Sequence, residues 1–371
     1  MLNAGSSTLK ASVVDADTSE LLARTTVGWG SDASRAADRR SGLESALEQV
    51  LPTAERTDLA GVGHRIVHGG RRFVEPVLLS EAVLADLDEM SELAPLHNPV
   101  GVGTARAALA LLPDVPHVAA FDTAFHATLA EEAFVYPLPW HWYAEHGVRR
   151  FGFHGLSVEW SVRRAAELLG RPPRELALVV AHLGSGCSVT AVLGERSVAT
   201  TMGYTPLEGL MMGTRGGSVD PGVLLWALRD GGLSAEALAD ALDHDSGLLG
   251  VSGVSGDVRS VGAAADQGDE RARLALSMFV RRAAEGIAAA ASSLPQLDAL
   301  VFSGGIGENA GALRAQIVVR LGVLGPEPVG DEETGVDRVL SAPGARPAAL
   351  RVEAREDLVI AQAVAGVVAN L

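Results

Sequence analysis

Apolar and polar positions along the chain fall into two successive series of strands and helices. Residues 9–14 alternate like a strand, 61–67 and 117–121 read as short buried strands, and helical spacing covers 43–51, 81–93 and 100–112. A second series begins near residue 151, with a helix over 158–169, strands over 176–181 and 188–193, and helices over 223–229, 235–242 and 271–294. It closes with a buried strand over 297–302, and a final helical pattern over 356–368 is placed to fold back onto the first half. Strands alternating with helices predict an α/β layer fold, and 371 residues are enough for two domains.

Glycine-rich breaks punctuate these series. Ser303-Gly304-Gly305-Ile306-Gly307-Glu308-Asn309 directly follows the buried run 297–302. A strand that breaks into glycines leaves its backbone bare for close approach by a ligand, and the Glu-Asn pair is expected to cap the next helix. Taken alone, the segment reads equally as a plain connection or as a binding loop. An internal echo supports the second reading: Asn3-Ala4-Gly5-Ser6-Ser7-Thr8-Leu9-Lys10 lies over His182-Leu183-Gly184-Ser185-Gly186-Cys187-Ser188-Val189. In each, a polar residue ends a strand, a Gly-Ser turn follows, and a strand returns. Two such hairpins can hold a phosphate chain through backbone N–H groups and hydroxyls.

Composition narrows the partners. A hydrophobic fraction of 47% supports a sizeable core, while the net charge of -16 repels nucleic acid and anionic membrane surfaces. No run reaches the roughly 18 uninterrupted apolar residues of a membrane span, so no membrane partner is expected. The single Cys187 excludes an internal disulfide and a cysteine-based zinc site and reads as a small apolar filler; with no N-terminal signal segment, it points to the cytoplasm. An anionic substrate must then meet a local cationic cluster.

That cluster is available from His64-Arg65, with Val67-His68-Gly69-Gly70 following, and from Met212-Gly213-Thr214-Arg215-Gly216-Gly217. An arginine beside glycines can meet a phosphate or carboxylate with its planar fork unobstructed. His97, His126 and His154 also stand at glycine or proline breaks, in spacings that form no zinc motif. Asp122 ends a buried strand, where it either caps a helix or needs an arginine or Mg²⁺ partner. No GxxxxGK[ST], no HRD or DFG set and no GxSxG elbow occurs. Phosphate chemistry built from hairpin loops, Arg, His and Mg²⁺ remains.

The ordered motifs NAGSSTLK, HRIVHGG, APLHNP, FDTAFH, RRFGFHG, HLGSGCS, TMGYTPLEGLMMGTR, GVSGVSGDVR, SGGIGEN and EDLVIAQ run nearly end to end. Together they closely resemble the acetate kinase family, within the superfamily of actin, heat-shock chaperones and sugar kinases. The resemblance implies a two-domain actin-like (ribonuclease H-like) duplicated α/β fold, with mixed sheets flanked by helices and an active-site cleft between the domains. It places residues 1–127 with the C-terminal helix 356–371 in the first domain, and 128–355 in a second, nucleotide-binding domain. It further implies a homodimer that transfers the ATP γ-phosphoryl group reversibly to acetate, giving acetyl phosphate and ADP, with Mg²⁺ or Mn²⁺ as cofactor.

By the same resemblance, Arg65 and Arg215 hold the carboxylate and the moving phosphoryl group, His154 stabilises the transition state, and Asp122 orients the site. Asn3 and Glu356 lie near the metal, and Val67, Leu96, Phe153 and Pro206 form the pocket for the acetate methyl. Asp257, Val258, Arg259, Gly304, Gly305, Ile306, Gly307 and Asn309 match the adenosine side. Lys10, His182, Gly184, Ser185 and Gly186 match the phosphate side. These roles suit phosphoryl transfer, which asks for alignment and charge neutralisation, and a carboxylate nucleophile needs no strong base.

Departures from the family pattern are Val158, where a second histidine is usual, Ala199 for an aspartate, Ser218 for an acid, Arg355 for an asparagine, and Val258 for a larger side chain. They leave both arginines and His154 in place, so the expected effect is on rate or nucleotide selectivity. Only two residues precede Asn3, fewer than a strand usually needs, and an upstream extension is expected. The rival readings are a propionate or butyrate kinase and a non-catalytic nucleotide-binding protein on the same scaffold.

Overall fold

The computed structural model describes residues 1–5, 8–15, 18–28, 36–51, 59–94, 98–330 and 335–371. Two six-stranded mixed sheets carry the described residues. The first contains β1 (Leu2–Ala4), β2 (Thr8–Val14), β3 (Leu21–Gly28), β4 (Val62–Ile66), β5 (Val77–Leu78) and β6 (His117–Phe121), in the order β3-β2-β1-β4-β6-β5. The second contains β7 (Ala177–Leu183), β8 (Cys187–Leu193), β9 (Arg196–Thr200), β10 (Ala299–Ser303), β11 (Arg338–Val339) and β12 (Ala348–Arg351), and read from its β9 edge runs β9-β8-β7-β10-β12-β11.

The two orders are the same, strand for strand, and so are the directions. An antiparallel meander of three strands is followed by two strands parallel to the first, with a short antiparallel strand at the far edge. The hairpins β1–β2 and β7–β8 are the two members of the echo, pairing Asn3 with Lys10 and His182 with Ser188. Strands β6 and β10 are buried at all five positions, as largely apolar runs covered on both faces require, whereas β3 alternates with exposure along its length.

Contacts divide the chain into two compact units. One comprises Met1–Ala127, Phe153–Trp160 and Arg355–Leu371, and the other Thr128–Gly152 and Ser161–Ala354. The segment Phe153–Trp160 thus groups with the first unit rather than with the 128–355 span expected for the second. Its local bonds explain this: Gly155 N–H donates to the Asp122 carbonyl at 2.8 Å, and Leu156 packs with Ala120, Val359 and Ile360. In the first unit, the helices Ala36–Val50 and Asn98–Leu111 pack around Leu9, Leu43 and Val62. In the second, the long helix Glu270–Ala291 lies on β7 and β8.

Most expected elements appear within a few residues of their predicted ends, and the helix Glu356–Val368 matches the pattern end to end. The 81–93 helix stops at Glu89 and tightens into a 3₁₀ turn, Met90–Leu93. The glycine-rich segment 303–309 forms a short helix, Gly304–Asn309, begun by a left-handed Gly304 at φ 76° after an extended Ser303. Glu308 and Asn309 do not cap the following helix, Gly311–Arg320. Asn309 donates back to the Gly305 carbonyl at 3.0 Å, and Glu308 accepts the Ala354 N–H at 2.9 Å. Both side chains are engaged by nearer backbone, so the expected cap is absent.

Candidate active site

In the first unit the site is organised by Asp122. β4 and β6 run parallel in register, so Arg65 lies across from Ala120, and Asp122 emerges one residue past the end of β6. Arg65 donates from Nε to Asp122 Oδ1 at 2.8 Å and from Nη2 to Oδ2 at 2.5 Å, a bidentate pair. Nη1 donates to Asn3 Oδ1 at 3.1 Å, and Glu356 Oε2 lies 3.7 Å from Nε while accepting from Asn3 Nδ2 at 3.0 Å. A guanidinium carries five N–H donors, so two remain uncommitted here. Asp122 is 1% exposed and Arg65 18%, so the arginine is the end that can meet a substrate.

Burial opposes the Arg65 charge, but Asp122 first and Glu356 second outweigh it and raise the guanidinium above its ordinary value. Burial pushes the Asp122 carboxyl up, with Arg65 opposing through charge and hydrogen bonding. Of the partners expected for Asp122, arginine is the one observed. Its carboxylate also accepts the His154 backbone N–H.

His154 has φ 59°, one of two left-handed non-glycine residues among those described. Such backbone costs about 1–3 kcal/mol and persists where its surroundings dictate it. The dictation is visible at the next residue, since a Cβ on Gly155 would stand 2.3 Å from the Asp122 carbonyl oxygen. Asp122 therefore fixes Arg65 with its side chain and the start of the helix Gly155–Leu169 with its backbone, and His154 sits between.

The other sequence candidates in this unit divide. Phe153 is buried, its ring centroid 5.4 Å from that of His68 in an edge-to-face arrangement, and Val67 is half-buried. Lys10 is exposed on β2 opposite Asn3. Leu96 and His97 lie outside the described residues. His126 is structural: Nε2 donates to the Phe153 carbonyl at 3.0 Å, and burial pushes its pKa down to about 4. Among the described residues no three His, Cys, Asp or Glu side chains gather as a metal-ligating group. The oxygens available beside Arg65 are those of one carboxylate, Glu356, and one amide, Asn3. That sparse, hard-oxygen set fits Mg²⁺, which usually takes one or two carboxylates and completes its shell with substrate phosphates and water.

In the second unit four loops converge. Gly184 N–H closes the β7–β8 turn on the Gly186 carbonyl at 3.0 Å, and the Gly184 Cβ position lies 3.8 Å from Gly305 N. Gly213 N–H donates to the Ser185 carbonyl at 3.1 Å, while its Cβ position lies 2.8 Å from the Gly256 carbonyl oxygen. The turn at 183–186, the loop ending in Arg215, the Ser255–Arg259 segment and the Gly304–Asn309 helix are thus neighbours. His182 ends the half-buried side of that turn, and Gly307 and Ile306 lie on the short helix. Asp257 caps the helix Val258–Asp266 and is pulled down to about 2 by hydrogen bonds from Arg259, which is exposed. Among the described residues nothing lies within 4 Å of a Cβ at Gly305, and its φ is not left-handed. The fold itself makes no demand for glycine there.

Arg215 differs from Arg65 in its electrostatics. Nη1 donates to the Pro206 carbonyl at 3.0 Å, yet no carboxylate forms an ion pair with it among the described residues. Burial pushes its pKa down from the ordinary value. Asp243 acts on it through charge without forming an ion pair, and a partly desolvated guanidinium with donors to spare is suited to receive an anion. Sequence reasoning missed what braces the stretch carrying Pro206: Tyr136, Arg150 and Glu208, the last two inside quoted motifs yet given no role.

The acetokinase family model matches residues 1–362. An acetate kinase of Deinococcus radiodurans is 44% identical across 99% of this chain and 97% of the relative. Among solved structures, Porphyromonas gingivalis acetate kinase superposes with a TM-score of 0.89 at 33% identity, covering 99% of this chain and 98% of that one. A propionate kinase from Francisella tularensis gives 0.88 at 33% identity, over 98% and 97%. Motif order, duplicated sheets and a match along nearly the whole length agree: this chain belongs to the acetokinase family, and is a phosphotransferase of the kinase class.

Proposed function

We propose that this enzyme transfers the γ-phosphoryl group of ATP reversibly to acetate, giving acetyl phosphate and ADP by direct in-line displacement. The observation that carries the reading is Arg215, a half-buried cation that forms no ion pair among the described residues and is influenced by the Asp243 carboxylate only through charge, among glycine-backed loops. A carboxylate or phosphoryl oxygen supplies that ion pair. Arg65, with two donors uncommitted, takes the second position on the carboxylate and moving phosphoryl group. His154, held in its left-handed conformation, donates to the equatorial oxygens of the transferring group, and Asp122 keeps Arg65 and His154 aligned. Acetate is ionised at neutral pH, so no general base is required.

Adenosine binds along Asp257, Val258, Arg259 and the Gly304–Asn309 helix, where Gly305 leaves room for a ligand. The phosphates lie against His182, Gly184, Ser185 and Gly186, with Lys10 adding positive charge. Glu356 and Asn3 would hold Mg²⁺, which when bound neutralises charge on the nucleotide phosphates. Val67, Phe153 and Pro206 are assigned to the acetate methyl by their match to the family pattern, as is Leu96 on sequence alone. An extra methylene shifts discrimination by only ~1–3 kcal/mol, so propionate is a poorer substrate rather than an excluded one. The similarity to a propionate kinase makes propionate preference the second reading.

A homodimer is part of the proposal. Leu138, Trp140 and Trp142, with Val223, Leu225 and Trp226, are exposed apolar side chains of the second unit, of the kind that oligomer interfaces cover. No helix among the described residues is long and apolar enough to cross a membrane.

The test is kcat/KM for acetate, propionate and butyrate with Mg²⁺-ATP, trapping the acyl phosphate with hydroxylamine. Acetate is expected to lead. Propionate or butyrate ahead of acetate overturns the pocket assignment, and ATP binding without acyl phosphate from any acid overturns the activity.

A further inference from the structure

We infer that Glu208, clamped by Tyr136 and Arg150, is a positioning residue that aims Arg215 at the anion it receives; the inference rests on the Arg215 role proposed above. Arg215 has one hydrogen-bonded anchor among the described residues, the Pro206 carbonyl. Pro206 lies in 201–209, an irregular stretch that follows β9 and belongs to no helix or strand. A backbone carbonyl in such a stretch is only as well placed as the bonds holding both of its ends.

Both ends are held by one network. At the near end Arg150 Nη1 donates to the carbonyls of Thr201 and Met202, each at 2.9 Å. At the far end Arg150 Nη2 donates to Glu208 Oε1 at 2.6 Å, and the Tyr136 hydroxyl donates to Glu208 Oε2. Tyr136 in turn accepts the Tyr204 N–H at 2.8 Å, fixing the middle of the stretch. The guanidinium of Arg150 also lies 5.4 Å from the centroid of the Tyr136 ring. One carboxylate thus closes a loop of bonds around Pro206.

The backbone leaves no slack at the centre of this network. A Cβ on Gly203 would stand 1.7 Å from Glu208 Oε2 and 2.1 Å from the Tyr136 hydroxyl. The Gly203 carbonyl accepts the Phe151 N–H at 3.0 Å, tying the stretch to the segment that carries Arg150. Glu208 is 33% and Arg150 18% exposed, so the pair is partly desolvated, and its ionised hydrogen bonds are correspondingly directional. None of the three side chains contacts Arg215 in a hydrogen bond or ion pair. Their influence passes through the position of one carbonyl, and a shift of about 1 Å in a catalytic group can cost roughly 10²-fold in rate.

The experiment compares kcat and KM for both substrates in the full chain, in Glu208→Gln, Tyr136→Phe, Arg215→Lys and the Glu208→Gln/Arg215→Lys double variant. Glu208→Gln is expected to lower kcat/KM for acetate by about 10–100-fold with KM for ATP within about twofold. In the Arg215→Lys background the same change is expected to lower it less than about threefold, because the group it aims has been replaced. An equal fold-loss in both backgrounds overturns the positioning role while leaving the Arg215 reading intact, as does a parallel rise in KM for ATP. Arg215→Lys with wild-type turnover overturns the Arg215 reading and this inference with it. If Glu208→Gln does not fold, Tyr136→Phe, which removes a single hydroxyl, is carried through the same cycle with the same outcomes.

Discussion

Replacing Gly155 with alanine sets helix propensity against packing, and the magnitudes say packing wins. Gly155 is the first residue of the helix Gly155–Leu169, where alanine is ordinarily better by up to about 1 kcal/mol. The added Cβ would stand 2.3 Å from the Asp122 carbonyl oxygen and 2.8 Å from the Cβ of Phe125. Relief requires the helix start and the strand end to separate by about 1 Å, an overpacking cost of about 1–3 kcal/mol. The separation also strains the 2.8 Å bond from Gly155 N–H to the Asp122 carbonyl, a further ~1 kcal/mol. The expected net is a destabilisation of about 1–3 kcal/mol, a fall of roughly 2–10 °C in melting temperature. Because Asp122 holds Arg65 and His154, the same displacement is expected to lower kcat by about 10²-fold. Differential scanning calorimetry and the hydroxylamine assay read the two effects. An alanine variant with unchanged melting temperature and turnover would refute the claim that this contact sets the catalytic geometry.

Asp122→Asn strands the buried Arg65 charge, leaving Glu356 at 3.7 Å as its carboxylate neighbour; a loss of about 3–5 kcal/mol and at least about 10²-fold in kcat is expected, by urea titration and assay. His126 has an ordinary pKa of 6.5 and a folded one of about 4, so the unfolded chain binds more protons between them, and stability falls as pH drops through that window and is full above it. From pH 7 to pH 5 the loss from this residue is about 2 kcal/mol, and urea midpoints of His126→Gln should show the corresponding part of the acid slope removed. Cys187 is buried, its Sγ 3.2 Å from the Gly184 carbonyl and its pKa pushed up to about 12 by burial, so a thiol reagent at pH 8 is expected to label the denatured chain and not the native one.

The fold was largely legible in the sequence because buried strands such as His117–Phe121 and the helix Glu356–Val368 write their periodicity locally. The sequence pointed to candidate residues but not to the bonds between them. Arg65 and Asp122 were singled out separately, yet their pairing joins positions 57 apart, and Tyr136 meets Glu208 across 72, distances over which no local pattern speaks. The glycines of 303–309 signalled a break where the chain forms a turn of helix, since a left-handed Gly304 followed by compatible residues can begin one. The left-handed backbone of His154 had no signal of its own, because it is imposed by Asp122 and by the close approach at Gly155.

The repeated sheet order allows one half of the molecule to be used as a control for the other. Asp122 N–H bonds to the Ile66 carbonyl at 3.1 Å where β6 leaves β4, and Val352 N–H bonds to the Phe302 carbonyl at 2.9 Å where β12 leaves β10. The two backbones do the same thing at the same place, and only one carries a charge. A duplicated scaffold thus separates what the fold requires at that corner, a hydrogen-bonded exit from the sheet, from what was added to it. On that comparison the exit from the sheet does not itself ask for a carboxylate, and Asp122 supplies one to hold the Arg65 charge beside it.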